Sequence, residues 1–190
     1  MPKRIRTDNG VPFATNTLAR LSALSAWWVR LGVLPELIEP GKPQHNGRHE
    51  RMHKTLKAEA TKPPPGNLAA QQRKFNRFRE GFNHERPHEA LDQQTTASVY
   101  QSSPREMPDK RPPLEYPDRF ELRYVSTNGG IRCNRDWVNV SIVCAGEYVG
   151  LEEIDDGIWD VYFGPLKLGR LHERHMRIED EYGRLKRHRV

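Results

Sequence analysis

Asp8 and Glu50 are the two carboxylates whose surroundings suit chemistry on a charged substrate. Asp8 follows a strand candidate, Lys3–Thr7, and opens the turn Asp8-Asn9-Gly10, which would expose the side chain at a sheet's rim. Glu50 falls in the first turn of a polar helical stretch. Lys54 and Lys57 follow it at i+4 and i+7, on the same face. Met52, Leu56 and Ala60 take a different face, the one suited to burial. A carboxylate can hold a divalent cation beside a scissile phosphate while lysines further along the stripe grip flanking phosphates. The plainer account is a surface ion pair between Glu50 and Lys54, and only the wider sequence decides between the two.

A second constellation overlaps the first. His49-Glu50-Arg51-Met52-His53 satisfies HExxH, in which two histidines one turn apart bind Zn²⁺ and the glutamate activates water. A zinc metallopeptidase is therefore an alternative. Its helix normally lies in an apolar cleft, however, and here the flanks are Gly47-Arg48 and Lys54-Thr55-Leu56-Lys57. The extended motif would want Gly and His where Leu56 and Glu59 stand. His45, His84 and His88 share no recurring spacing and read as capping or surface residues.

The elements that must position these groups can be read along the chain. A helix is expected from about Asn16 to Leu31, with Leu18, Leu21, Leu24, Trp28 and Leu31 at helical spacing, then a strand over Leu34–Ile38. Of the adjacent Trp27 and Trp28, one should pack inward and the other face out. After the breaker-rich loop Pro40-Gly41-Lys42-Pro43-Gln44, helices are expected over Asn46–Thr61 and Asn67–His84, parted by Pro63-Pro64-Pro65-Gly66. Five prolines between Pro104 and Pro117 mark an extended linker. Beyond it the period changes to two, in runs near Phe120–Tyr124, Trp137–Val143, Tyr148–Ile154, Ile158–Phe163 and Leu166–Leu171. Five short strands predict a small closed barrel.

Composition narrows the partner. Lys and Arg number 31 against 25 Asp and Glu, a formal charge of +6 that favours a polyanion. Two cysteines with no CxxC pairing argue against a disulfide scaffold and point to a reducing cytoplasm. The N-terminal residues carry no apolar signal region, and no apolar run approaches membrane-spanning length.

Three motifs in order carry a resemblance. Thr7-Asp8-Asn9-Gly10, then Pro43-Gln44-His45-Asn46-Gly47-Arg48-His49-Glu50-Arg51, resemble the catalytic core of DDE integrases and transposases. Asn83-His84-Glu85-Arg86-Pro87-His88-Glu89-Ala90-Leu91 looks like the segment closing that core in bacterial insertion-sequence transposases of the IS481-like group. The resemblance implies an α+β chain. Residues 1–100 would be the C-terminal part of a ribonuclease-H-like core, 101–118 a Pro-rich linker, 119–178 an SH3-like DNA-binding barrel and 179–190 a basic tail. It implies metal-dependent phosphodiester cleavage and strand transfer, with Asp8 and Glu50 as catalytic ligands of Mg²⁺ or Mn²⁺. Arg51, Lys54, Lys57, Gln44, Asn46 and Arg86 would contact DNA, both transposon ends and target, and the protein would be a homo-oligomer.

The sequence departs from the pattern in two respects. The family's first Asp precedes the Asp8 motif, yet none of residues 1–7 is acidic, so the expectation is a core lacking its first strands and no strand transfer by this chain alone. Asp8 and Glu50 also stand 42 positions apart, somewhat more than in well-known members. The alternative implied is a non-catalytic DNA-binding or oligomerisation fragment of a decayed element. Missing neighbours would leave strand edges open to pairing between copies. On the barrel, the arginines at strand ends against the acidic run Glu152-Glu153-Ile154-Asp155-Asp156 predict one basic and one acidic face.

Overall fold

A computed structural model describes residues 1–42 and 47–184 as mixed α and β structure in two units. The first unit joins Met1–Ile38 to the described part of Arg105–Val190, and the second is Glu39–Pro104.

In the first unit, β1 (Arg4–Thr7) pairs in parallel with β2 (Leu34–Leu37), Thr7 opposite Leu37. A parallel pair needs a crossover, and α1 (Ala23–Arg30) supplies it. Ser22 starts α1 through a capping box: its hydroxyl accepts from the Ser25 N–H at 3.0 Å, and the Ser25 hydroxyl accepts from the Ser22 N–H at 2.8 Å. The helix stops at Gly32, whose φ of +68° only glycine adopts without strain. Arg105 closes that end, donating to the carbonyls of Leu31 at 3.1 Å and Gly32 at 3.0 Å. Trp28 is buried against Phe13, whereas Trp27 is 43% exposed.

The helix is shorter than the hydrophobic period predicts. Leu18–Arg20 is a separate 3-10 turn, because Ala19 and Arg20 have φ of 48° and 53°. Capping at Ser22 then starts a new helix. Leu18 and Leu21 still reach the core, but from a turn and a bridge.

The rest of the unit is an antiparallel sheet in the order β3 (Glu121–Tyr124), β6 (Tyr148–Asp155), β7 (Ile158–Phe163), β8 (Leu166–His172), β9 (Arg177–Glu179). A separate hairpin pairs β4 (Gly130–Cys133) with β5 (Asp136–Asn139). The expected closed barrel is therefore corrected to an open ladder. Among the described residues β3 and β9 are its edges, and the two hairpin strands ladder only with each other. Neither β4 nor β9 was anticipated: Ile131 and Ile178 are each flanked by polar or glycine residues, too little alternation to register. Alternate side chains enter one core holding Val125, Ile131, Val149, Leu151, Val161, Phe163 and Leu171, with Leu18, Leu21, Ala26 and Val29 from the N-terminal segment. Arg30 joins the helix to this core. It is ion-paired with Glu147, donates to the Val143 carbonyl at 2.9 Å and lies 5.2 Å from the Phe163 ring centre.

Part of the Pro-rich stretch is fixed to the sheet. The Tyr116 hydroxyl donates to the Tyr148 carbonyl at 2.7 Å and accepts from the Gly164 N–H at 3.0 Å. Burial pushes that phenol up to about 12, though the Gly164 N–H favours its ionised form. Gly150 is required beneath it, since a Cβ there would lie 2.5 Å from the Tyr116 ring.

In the second unit, α2 (Gly47–Ala60) packs on α3 (Leu68–Glu80). Asn67 caps α3 by accepting from the Ala70 N–H at 2.8 Å, and Gln71 donates to the Ala60 carbonyl at 2.8 Å. The expected Asn67–His84 helix ends at Glu80 and continues as a π turn, Gly81–Glu85. Pro87 forces Arg86 out of helical conformation, to ψ 121°. A short helix, α4 (Thr96–Val99), follows. Among the described residues no helix is long and apolar enough to cross a membrane.

Candidate functional site

Asp8 belongs to the first unit, directly after β1, at the carboxyl end of a parallel strand pair, where α/β folds commonly place functional groups. Its Oδ1 accepts from the Gly10 N–H at 2.9 Å, which closes the turn and holds the exposed carboxylate in place. A latch that sequence reasoning missed fixes the neighbouring residue. Asn9 donates to the Ile38 carbonyl at 2.9 Å, and Arg20 donates to the Asn9 side-chain and main-chain oxygens at 2.7 and 2.8 Å. The left-handed turn at Arg20 aims that guanidinium, and no periodicity signals it. Across the strands, Arg4 and Arg6 bond Glu36 at 2.7 and 3.2 Å. The Arg4 hydrogen bond, with help from Arg6, outweighs desolvation and holds the Glu36 carboxyl below its usual range.

Glu50 belongs to the second unit, in the first turn of α2, where the positive end of the helix dipole favours a carboxylate. Glu50, Arg51, Lys54 and Lys57 are all exposed, while Met52, Thr55 and Leu56 are half-buried, as the two-face reading of this helix requires. Gln44 and Asn46 lie outside the described residues. Arg86 is committed locally: it donates to Glu59 on α2 at 2.6 Å and lies 5.7 Å from the Phe82 ring centre. Phe82 stacks on Phe78, centroids 5.4 Å apart, and meets the His88 ring edge-on at 4.9 Å. The Asn83–Leu91 segment thus ties itself to α2 through Arg86. The Glu59 partnership spans the whole α3 hairpin, and no local spacing could reveal it.

Among the described residues no three of His, Cys, Asp or Glu come together as a metal-holding group. Asp8 and Glu50 belong to different units, and each is an oxygen donor of the kind a hard divalent cation takes. His49 and His53 do meet, their Nε2 atoms 3.0 Å apart.

On the sheet, several arginines and lysines expected to face phosphates already have acidic partners. Arg119 bonds Glu152 at 2.8 Å, Arg123 pairs with Glu121, and Lys167 and Arg170 both pair with Asp160. Arg132 lies over Trp137, 5.4 Å from the ring centre. Burial pushes the Asp160 carboxyl up, but hydrogen bonds from Lys167 and Arg170 outweigh it and hold the group below its ordinary value. Cys133 and Cys144 are free and buried. Burial drives the Cys144 thiol up to about 12, which makes it a packing residue and not a nucleophile.

Residues 31–95 match the integrase core domain family. The matched stretch runs from the end of α1 through α3 to Thr95, and it contains Glu50, Arg51, Lys54, Lys57 and Arg86 but not Asp8. The match supports the integrase and transposase superfamily, and with it a function in DNA recombination in general terms.

Proposed function

We propose that this chain acts on DNA as an integrase-type transposase of the IS481-like kind, with Asp8 and Glu50 as its metal-binding carboxylates. The observation that carries the reading is the integrase-core match over residues 31–95, which spans the Glu50–Lys54–Lys57 stripe on an exposed helix face. Mg²⁺ or Mn²⁺ would be the cation, since hard oxygen ligands select such ions. Arg51, Lys54 and Lys57 would engage DNA phosphates, and Gln44, Asn46 and Arg86 would be further DNA contacts. Residues 119–178 would add a second DNA contact in the role of an SH3-like module. A homo-oligomer draws support from β1 and β2, each paired on one edge only among the described residues.

This reading rests on DNA binding first and on turnover second, since the matched stretch holds the lysine stripe but not Asp8. A non-catalytic DNA-binding protein is the second reading, favoured by the matched stretch carrying the Lys54–Lys57 stripe and only one of the two carboxylates.

The test is fluorescence anisotropy of the chain with labelled duplex DNA across a salt series. Binding should weaken as salt rises, and Lys54→Ala and Lys57→Ala should each lower the log–log salt slope by about one. Absent or salt-insensitive binding would sink both readings. Adding Mg²⁺ separates them: under the first reading it tightens binding in the parent protein but not in Glu50→Gln, and under the second it does neither.

A further inference from the structure

His49 and His53 stand one turn apart on α2, and both side chains are exposed. Their Nε2 atoms are 3.0 Å apart, and the rings meet edge to face with centroids at 4.4 Å and planes at 89°. Among the described residues neither Nδ1 has a hydrogen-bond partner. Two imidazole nitrogens held side by side are a chelate in waiting. With metal–nitrogen bonds of about 2.0–2.1 Å, the 3.0 Å separation subtends about 95° at a shared ion. A tetrahedral ion would need the nitrogens about 3.3–3.4 Å apart. Adjacent positions on a square-planar or octahedral ion fit better, and imidazole suits Cu²⁺ and Ni²⁺ in those geometries.

We propose that His49 and His53 form a two-nitrogen chelating site for Cu²⁺ or Ni²⁺ on the exposed side of α2. In the metal-free pair one Nε2–H donates to the other Nε2. Chelation uses both Nε2 lone pairs, so the donor ring carries its proton on Nδ1 instead. Water completes the coordination. The site does not rest on the roles given to Asp8 and Glu50, which are oxygen ligands of a harder ion. It also differs from a zinc peptidase centre, which takes a third protein ligand; among the described residues none converges.

The test titrates the whole chain, free of any affinity tag, with CuCl₂ and separately with NiCl₂ by calorimetry. Electron paramagnetic resonance then reads the Cu²⁺ adduct. The expected result is a saturable one-to-one phase and an axial Cu²⁺ spectrum with splitting from two nitrogens. His49→Gln and His53→Gln should each weaken that phase by about tenfold or more, since losing even a ligand's hydrogen-bond partner costs about that much. Circular dichroism at 222 nm should show the helix intact in both variants, because both side chains are exposed. A double variant that binds like the parent would overturn the proposal, and so would a parent chain showing no saturable phase.

Discussion

The two units hold themselves together by different means. In the first, seventeen buried side chains form one continuous cluster from the sheet, the hairpin and the N-terminal segment. In the second, Ala60 is the one buried residue among those described, and Met52, Leu56, Phe75, Phe78 and Phe82 are only half-buried. The family match covers most of the weakly cored unit and little of the well-cored one. Residues that bind a polyanion must stay solvated and positive, so a helix bearing Arg51, Lys54 and Lys57 cannot also bury a wide apolar face. The contrast separates the large buried core from the Glu50–Lys54–Lys57 stripe, while Asp8 stays with the core.

Phe163→Ala is the most direct way to break that contrast. Phe163 is fully buried, and its loss should cost about 4 kcal/mol. All four tryptophans (27, 28, 137 and 159) belong to the first unit, so their fluorescence reports that unit alone. Urea denaturation of the variant should move the tryptophan transition to much lower urea while the helical signal at 222 nm shifts far less. In the parent protein the helical transition should come first. Coincident transitions in both proteins would mean that the units unfold as one.

Asp160→Asn comes next, at about 2 kcal/mol, because it removes the charge that Lys167 and Arg170 share within the sheet. The pH dependence has a definite sign. Lys167 and Arg170 hold the folded-state carboxyl below its ordinary value despite burial. Its stabilisation is therefore complete above the usual carboxylate range and is lost as pH falls through the folded value. Tryptophan-monitored stability should fall in acid more steeply for the parent than for Asp160→Asn. Parallel curves would rule out this ion pair as the cause.

What the sequence made legible follows the same division. The two faces of α2 could be read because 3.6-residue periodicity survives without a core, and the strands β6, β7 and β8 because period two is strong where one face is buried. The single Asn16–Leu31 helix failed on backbone conformation: positive φ at Ala19 and Arg20 carries no hydrophobic signature, so the Asn9–Arg20 latch beside Asp8 stayed hidden. Barrel closure failed because strand period specifies faces and not partners, and the hairpin β4–β5 pairs only with itself. At the site, exposure of the Glu50 stripe was readable from its pattern. The Arg86–Glu59 pair, which joins distant positions through the α3 hairpin, was not.

Ser22→Ala sharpens the comparison at smaller scale. Loss of the capping box that starts α1 should cost about 1 kcal/mol, seen only in the tryptophan transition.

The smallest stability effect should come from the residues that carry the family likeness. Lys54→Ala and Lys57→Ala remove exposed side chains with no ion-pair partner among the described residues, so each should change stability by under about 0.5 kcal/mol. Glu50→Gln loses only the favourable end of a helix dipole, about 0.3–1 kcal/mol. If the stripe serves DNA and not the fold, these variants leave both unfolding transitions nearly in place while the two lysine changes flatten the salt dependence of DNA binding. A lysine variant that instead destabilised the 222 nm transition by 2 kcal/mol or more, beyond the roughly 0.5 kcal/mol ordinary for a surface change, would make the stripe part of the helical unit's own packing. The division between a stabilising unit and a binding unit would then fail at the helix on which it chiefly depends.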